Sequence, residues 1–130
     1  MPIILQSHIS REDLQANPAV YYVFGDNDAR KGRGGLAKQC RGMPNAVGIR
    51  TKKFPGWGPD DYYTDDELDE NIKKITEDFE VVWELLREGK IIIMPLHGIG
   101  TGLANMSVRC PDTFRFLQEM FDALTEVHFS

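Results

Sequence analysis

Residues 19–37 read AVYYVFGDNDARKGRGGLA, and this stretch decides the fold class. Its first part is mostly β-branched or aromatic with little polar alternation, which is typical of a strand buried on both faces of a sheet. A glycine-rich turn follows from Gly25, and a short helix is predicted from Gly34 to Arg41. Because glycine has no Cβ, its backbone N–H groups can approach a ligand closely, so the turn is a candidate anion-binding loop.

A second glycine-rich turn lies near the other end of the chain. Residues 98–103 read GIGTGL and follow a predicted buried strand from Ile91 to Met94. Neither turn has the spacing of the dinucleotide-binding fingerprint, and a Walker loop is absent, which argues against a hydride-transfer or P-loop enzyme. We interpret the two turns as a clamp for a diphosphate. The residues also allow the second segment to be only a tight turn.

The rest of the chain alternates strands and helices. Strands are predicted over residues 3–5, 46–50 and 127–129, and helices over 10–15 and 111–124. The most regular helix begins near Asp66, carries an apolar stripe at three-and-four spacing and ends at Gly89, with Thr64 and Glu67 as a predicted capping box. This alternation predicts an α/β fold of three layers, with a mixed central sheet flanked by helices, in one domain spanning residues 1–130.

The composition is typical of a soluble globular protein, with 42% hydrophobic and 27% charged residues. No apolar run is long enough to span a membrane, and the first five residues lack the pattern of a signal peptide. A cytoplasmic protein with no membrane partner is therefore expected. The two cysteines lack metal-ligand spacing and are expected to be reduced thiols, and no metal or cofactor is expected.

The net charge of −5 is unevenly distributed. Residues 30–53 contain eight basic and no acidic side chains, whereas residues 60–88 contain twelve of the twenty acids. The first glycine turn lies inside the basic segment, which favours a small anion held locally over a nucleic acid. Two solvated faces of opposite charge are the alternative interpretation.

Three segments are predicted at one edge of the sheet. In an open α/β sheet, ligands bind outside the carboxyl ends of the strands. Both glycine turns are predicted at such ends, and so is the Thr51-Lys52-Lys53 that follows the strand over 46–50. We therefore expect these three segments to meet in one pocket.

From about residue 19 to its end, the chain resembles the macro domains, which bind ADP-ribose and related nucleotides. In the first loop the resemblance rests on Asn27 and on the small residues after it, which are Gly32, Gly34, Gly35, Leu36 and Ala37. The closest branch is the terminal ADP-ribose protein glycohydrolase type, whose second loop is similar to residues 99–103 and whose lysine lies in a Thr-Lys-Lys after a strand. Small macro-like proteins of this kind occur in bacteria and their phages.

The resemblance implies a role for each part of the pocket. Lys52 would attack the anomeric carbon of the distal ribose, Asn27 would hydrogen-bond that ribose, and the amides of both loops would hold the diphosphate. Where related branches carry a catalytic aspartate, this chain has Ala37 and Ala104. Because hydrolysis needs a group that activates water, the sequence leaves two functions open: an ADP-ribosyl glycohydrolase and a non-enzymatic module that binds or sequesters a nucleotide signal.

The position of the base is the last feature that the resemblance implies. It would lie near Asp13-Leu14, with His8-Ile9 as the alternative. The expected partner is a small nucleotide ligand, free or attached to a macromolecule, and the oligomeric state stays open. The catalytic candidates are Lys52 and Asn27. The residues expected to contact the ligand are Asp13, Leu14, Gly25, Asp26, Asn27, Gly32, Gly34, Gly35, Leu36, Thr51, Gly98, Ile99, Gly100, Thr101, Gly102 and Leu103.

Overall fold

The computed structural model of the chain describes residues 3–100 and 104–129, and it describes the side chains of these except for 127–129. Short 3-10 turns lie at Pro59–Asp61 and Asp65–Glu67. The strands and helices are β1 Ile3–Gln6, α1 Arg11–Ala16, β2 Val20–Asn27, α2 Ala37–Cys40, β3 Ala46–Lys52, α3 Leu68–Arg87, β4 Ile91–Pro95, α4 Met106–Arg109 and α5 Pro111–Phe129.

The four strands of the described residues form one sheet in the order β1-β4-β2-β3. Every pair is parallel, with Ile3 opposite Ile92 and Val20 opposite Ile91 in the register. The α/β class is confirmed, but the described strands do not form the predicted mixed sheet. The strands are parallel because each crossover through a helix returns the chain to the same end of the sheet before the next strand begins.

Helices cover both faces of the sheet, which gives the predicted three layers. On one face α3 and α5 pack through residues such as Phe79 and Leu117, and on the other α1 and α2 pack through Leu14 and Cys40. Successive side chains of a strand point to opposite faces. In β2, accordingly, Val23 belongs to the first core, whereas its neighbours Tyr22 and Phe24 belong to the second.

Two predicted boundaries are wrong in a way that affects the site. β2 continues to Asn27 and β3 continues to Lys52, so the residues expected in loops after these strands still lie on the strands. Parallel pairing keeps them there, since Gly25 pairs with Ile49 and Asp26 with Arg50. A glycine followed by two polar residues predicts a turn locally, but the sheet partner overrides that preference.

The end of α5 and the start of α3 also differ from the predictions. Residues 127–129 belong to α5 and not to a last strand, because neither glycine nor proline interrupts the helix that begins at Pro111. Thr64 makes no side-chain cap and precedes a 3-10 turn, so the predicted capping box with Glu67 is wrong, and α3 begins at Leu68. The end of that helix at Gly89 is confirmed, since Gly89 adopts a φ of 81°.

Candidate ligand pocket

A cavity of about 480 Å³ opens at the carboxyl ends of the four described strands. Its wall includes Gln6 at the end of β1, Asn27 of β2, Lys52 of β3 and Pro95 of β4. Because parallel strands deliver their carboxyl ends to one edge of the sheet, segments far apart in sequence meet there. The two glycine turns and Thr51-Lys52 line this one cavity, as expected from the sequence.

Most of the residues expected to contact a ligand line this cavity. Asp13 and Leu14 do not line it, and Thr101, Gly102 and Leu103 lie outside the described residues. Those that line it are Gly25, Asp26, Asn27, Gly32, Gly34, Gly35, Leu36, Thr51, Gly98, Ile99 and Gly100, and the catalytic candidate Lys52 lines it as well.

Asp13 and Leu14 have structural roles in α1. The Asp13 carboxylate caps the helix by accepting the N–H of Ser10 at 3.0 Å, and it also accepts Nε2 of Gln6 at 3.0 Å. Leu14 is fully buried in the core. The alternative pair, His8 and Ile9, lines the cavity instead. Three of the four residues between β1 and α1, Ser7 to Ile9, therefore contribute to the cavity wall, whereas the helix that follows them does not.

The second loop depends on glycine at two positions. Gly98 has a φ of 78° and Gly100 a φ of 80°, a left-handed conformation that side chains with a Cβ rarely adopt. A Cβ on Gly98 would meet nothing within 4 Å, whereas a Cβ on Gly100 would collide with the Met106 sulfur. Gly98 thus leaves space beside the cavity, while Gly100 lets the loop pack closely on α4.

Lys52 has its amino group among aromatic rings. The residue is 6% exposed, and its Nζ donates to the carbonyl of Gly56 at 2.5 Å. The centroids of the Tyr62 and Trp57 rings lie 4.6 and 5.3 Å from Nζ. Burial lowers the pKa of Lys52, against the opposing effect of the Asp61 carboxylate. The amine is therefore easier to deprotonate than an exposed lysine, and its cationic form has a carbonyl and two ring faces as partners.

Asn27 uses its side chain within the first loop. Its Nδ2 donates to the Lys31 carbonyl at 2.7 Å, and its Oδ1 accepts the Lys31 N–H at 3.5 Å. Both groups of the amide thus clip the loop across four residues. One N–H of Nδ2 remains for a ligand, since the amide nitrogen carries two.

Asp26 is 6% exposed and is held between two arginines. Arg41 lies 2.7 Å from its Oδ1 and Arg30 lies 3.1 Å from its Oδ2, and the N–H of Asn27 donates to Oδ1 at 2.8 Å. Burial raises the pKa of Asp26, but the hydrogen bonds from Arg41, Asn27 and Arg30 outweigh it and lower the pKa. A carboxylate stabilised in this way is a weak base.

Sequence reasoning missed several residues of the wall. Pro95 is the last residue of β4, Gln6 is the last residue of β1, and Ser7 follows it. The rule that ligands bind outside the carboxyl ends of the strands would have predicted all three, had it been applied to every strand. Nothing in the residues next to Arg41 predicts that it lines the cavity. It lies just after α2, and only the tertiary structure brings its side chain to the cavity wall. The missed lining residues are Gln6, Ser7, Lys31, Gln39, Arg41, Pro55 and Pro95.

The fold and the cavity define a class: an α/β protein with a glycine-lined ligand cavity at the carboxyl edge of a parallel sheet. Residues 4–120 match the family described as Family of unknown function (DUF7831), and the chain belongs to that family. No curated protein and no solved structure gave a significant match. In the described part of the chain, no helix has both the length and the apolar character that crossing a membrane requires.

Proposed function

We propose that this protein is macro-like and binds ADP-ribose or a related nucleotide diphosphate in the cavity. The observation that carries the proposal is the meeting of two glycine-rich loops and the buried Lys52 around one space of about 480 Å³. That volume lies within the range of roughly 300–1,000 Å³ typical of small-molecule sites. Glycine-rich backbone beside a cavity is suited to anions, because its N–H groups lie within reach of phosphate oxygens.

The charge of the wall supports an anionic ligand. Lys31, Arg41 and Lys52 line the cavity, and among the described lining residues Asp26 is the only carboxylate. Asp26 is already compensated by Arg41 and Arg30. An entering diphosphate would therefore meet excess positive charge, which raises both its affinity and its rate of entry.

A second candidate function is hydrolysis of an ADP-ribosyl bond through Lys52, and the buried amine with a lowered pKa favours it. The unprotonated Nζ would attack the anomeric carbon. As the carbon–nitrogen bond forms, the ribosyl bond to the modified group breaks, and the leaving group takes the bonding electrons and the proton of the amine. Water must then cleave the carbon–nitrogen bond. Positions 37 and 104 carry methyl groups in the cavity wall and Asp26 is a weak base, so binding without rapid turnover is the function that the geometry supports best.

Calorimetric titration with ADP-ribose tests the proposal. Gly25→Leu is the blocking variant, because a Cβ at Gly25 meets only cavity-lining groups at ordinary contact distances, 3.5 Å or more. Lys52→Gln tests the amine, and Lys38→Gln, at an exposed position outside the cavity, is its matched control. We expect micromolar binding that Gly25→Leu abolishes, that Lys52→Gln weakens by about tenfold, and that Lys38→Gln leaves unchanged.

The outcomes separate the ligand from the site. Heat with other nucleotide diphosphates but not with ADP-ribose would keep the cavity and change its ligand. Equal binding by wild type and folded Gly25→Leu would contradict the assignment of the cavity. Incubation with an ADP-ribosylated peptide then distinguishes enzyme from binding module, since turnover releases ADP-ribose and a stalled attack leaves a mass adduct on Lys52.

A further inference from the structure

The guanidinium of Arg41 joins the first glycine loop to the sheet. Its Nε donates to the Gly32 carbonyl at 3.1 Å, and its Nη2 donates to the Lys31 carbonyl at 3.0 Å. The same Nη2 lies 2.7 Å from Oδ1 of Asp26. The side chain is only 17% exposed and lies over the Phe24 ring at 5.4 Å. One rigid planar group therefore holds two loop carbonyls and one strand carboxylate together.

The backbone of Asp26 is fixed by the sheet, so Asp26 serves as the anchor. It lies on β2 opposite Arg50 of β3, and Arg30 binds its other oxygen at 3.1 Å. Space for this carboxylate exists because position 48 is a glycine: a Cβ on Gly48 would lie 2.5 Å from Oδ2 of Asp26 and 2.9 Å from its Cβ. The sheet thus sets the backbone position of Asp26. Arg30 holds its second oxygen and is itself bound to the Gly48 carbonyl at 3.0 Å and to Asp78 at 2.9 Å.

The loop itself needs such support. Residues 31–34 lie in no helix or strand, and Gly32 has a φ of 93°. The carbonyl and the N–H of one peptide group point in opposite directions. Fixing the carbonyls of Lys31 and Gly32 on Arg41 therefore also fixes the directions of the N–H groups of Gly32 and Arg33. Without Arg41, the Asn27 amide would still hold the Lys31 carbonyl, but no other hydrogen bond among the described residues would hold the carbonyl of Gly32.

We propose that Arg41 is the positioning residue of this cavity: anchored on Asp26, it holds the first glycine loop in its ligand-binding conformation, and the fork geometry of its guanidinium is what binding requires. The ligand-affinity part of this inference rests on the proposed function, whereas the loop conformation does not. Asp26 is then the counterion of the positioning residue and not a ligand contact, although it was a candidate contact on sequence grounds.

The test compares Arg41→Lys with Arg33→Lys. Both variants keep the charge and lose the guanidinium, and Arg33 is an exposed residue of the same loop outside the cavity wall. The first measurement uses ligand-free protein, in which the amide resonances of Gly32 and Arg33 and their hydrogen exchange report loop conformation. The second is the affinity for ADP-ribose. We expect Arg41→Lys to shift these amides, speed their exchange and weaken binding by about tenfold or more. Because position 33 carries one of the reporters, the control readouts for Arg33→Lys are the Gly32 amide and the affinity, and both should stay close to wild type.

Gly48→Ala gives an independent arm, since Gly48 does not line the cavity. Its methyl group should displace the Asp26 carboxylate and reproduce the amide shifts of Arg41→Lys. Millimolar guanidinium should restore ADP-ribose binding to Arg41→Ala by replacing the missing group. It would not restore binding if the variant had lost affinity because it was unfolded. Unchanged loop amides in Arg41→Lys, or wild-type affinity in that variant, would overturn the inference. If wild type fails to bind ADP-ribose, the proposed function fails, and the ligand-free amide data still decide the role of Arg41.

Discussion

Gly98 and Gly100 have the same backbone conformation but different surroundings, so alanine at the two positions separates backbone strain from crowding. Their φ angles are 78° and 80°. A Cβ at Gly98 enters open space, whereas one at Gly100 collides with the Met106 sulfur and lies 3.1 Å from Cδ2 of Leu117. Both neighbours are fully or almost fully buried, so neither can move far without disturbing the core.

The expected losses of stability follow from backbone strain at both positions and crowding at Gly100. A Cβ in the left-handed conformation costs about 1–2 kcal/mol, and this applies equally to Gly98→Ala and Gly100→Ala. Crowding in a packed core adds about 1–3 kcal/mol at Gly100 alone. Lower entropy of the unfolded chain returns about 0.4–1 kcal/mol in both variants and cancels in their difference. Gly100→Ala should therefore be less stable than Gly98→Ala by about 1–3 kcal/mol.

Equilibrium unfolding in urea measures this difference from the two midpoints at a common slope. Met106→Ala removes the obstructing sulfur, so we expect the loss in the double variant Gly100→Ala with Met106→Ala to be smaller than the sum of the single losses. If Gly98→Ala lost as much stability as Gly100→Ala, or if the two changes at 100 and 106 were additive, crowding against Met106 would not be the cause of the loss at Gly100.

Three further predictions concern charge, thiol reactivity and helix capping. The pKa of Asp26 in the folded protein lies below its ordinary 3.8. The extra stability of wild type relative to Asp26→Asn should therefore be fully present above about pH 3.8 and be lost as the pH falls through the folded-state pKa. Urea unfolding of both proteins across about pH 2–6 measures this difference. Burial raises the pKa of the Cys40 and Cys110 thiols to about 12, so neither should react with a thiol reagent at about pH 8 until urea unfolds the chain, and rapid labelling without urea would contradict their burial. Asp65 accepts the first N–H groups of α5, at 2.9 and 3.0 Å, so Asp65→Ala should lose about 1–2 kcal/mol in urea unfolding and Asp65→Asn less.

The elements that could be predicted are those with a strong local pattern. The helix that ends before Gly89 repeats apolar residues at the spacing of one helical face, and the buried strands are nearly continuous apolar runs. Residues 25–27 and 51–52 could not be assigned to strands in this way, because their pairing partners, not their own types, extend β2 and β3. For residues 127–129 the sequence supports both structures, because no glycine or proline ends the helix but the β-branched and aromatic types suit a strand as well.

For the site, too, some features could be predicted from local sequence and others depend on the fold. Glycine-rich segments after buried strands indicated where a cavity would open, and the glycines of both loops line it. Asp13 does not line the cavity. An acid beside a nucleotide-binding loop and an acid that caps a helix look the same in sequence, and the hydrogen bond from the Ser10 N–H shows the capping role in the fold. Arg41 was missed because its partners, at positions 26, 31 and 32, are assembled by the fold.

Sequence alone determined the α/β class, the order of most elements and the presence of two glycine-rich turns at strand ends, because hydrophobic period and glycine content act over a few neighbouring residues. The tertiary structure decided which charges are available to a ligand. Asp26 is neutralised between Arg30 and Arg41, and Lys52 is buried between rings that follow it in the chain. Electrostatic energy depends on distance and burial, and these are properties of the folded arrangement that no run of residue types specifies.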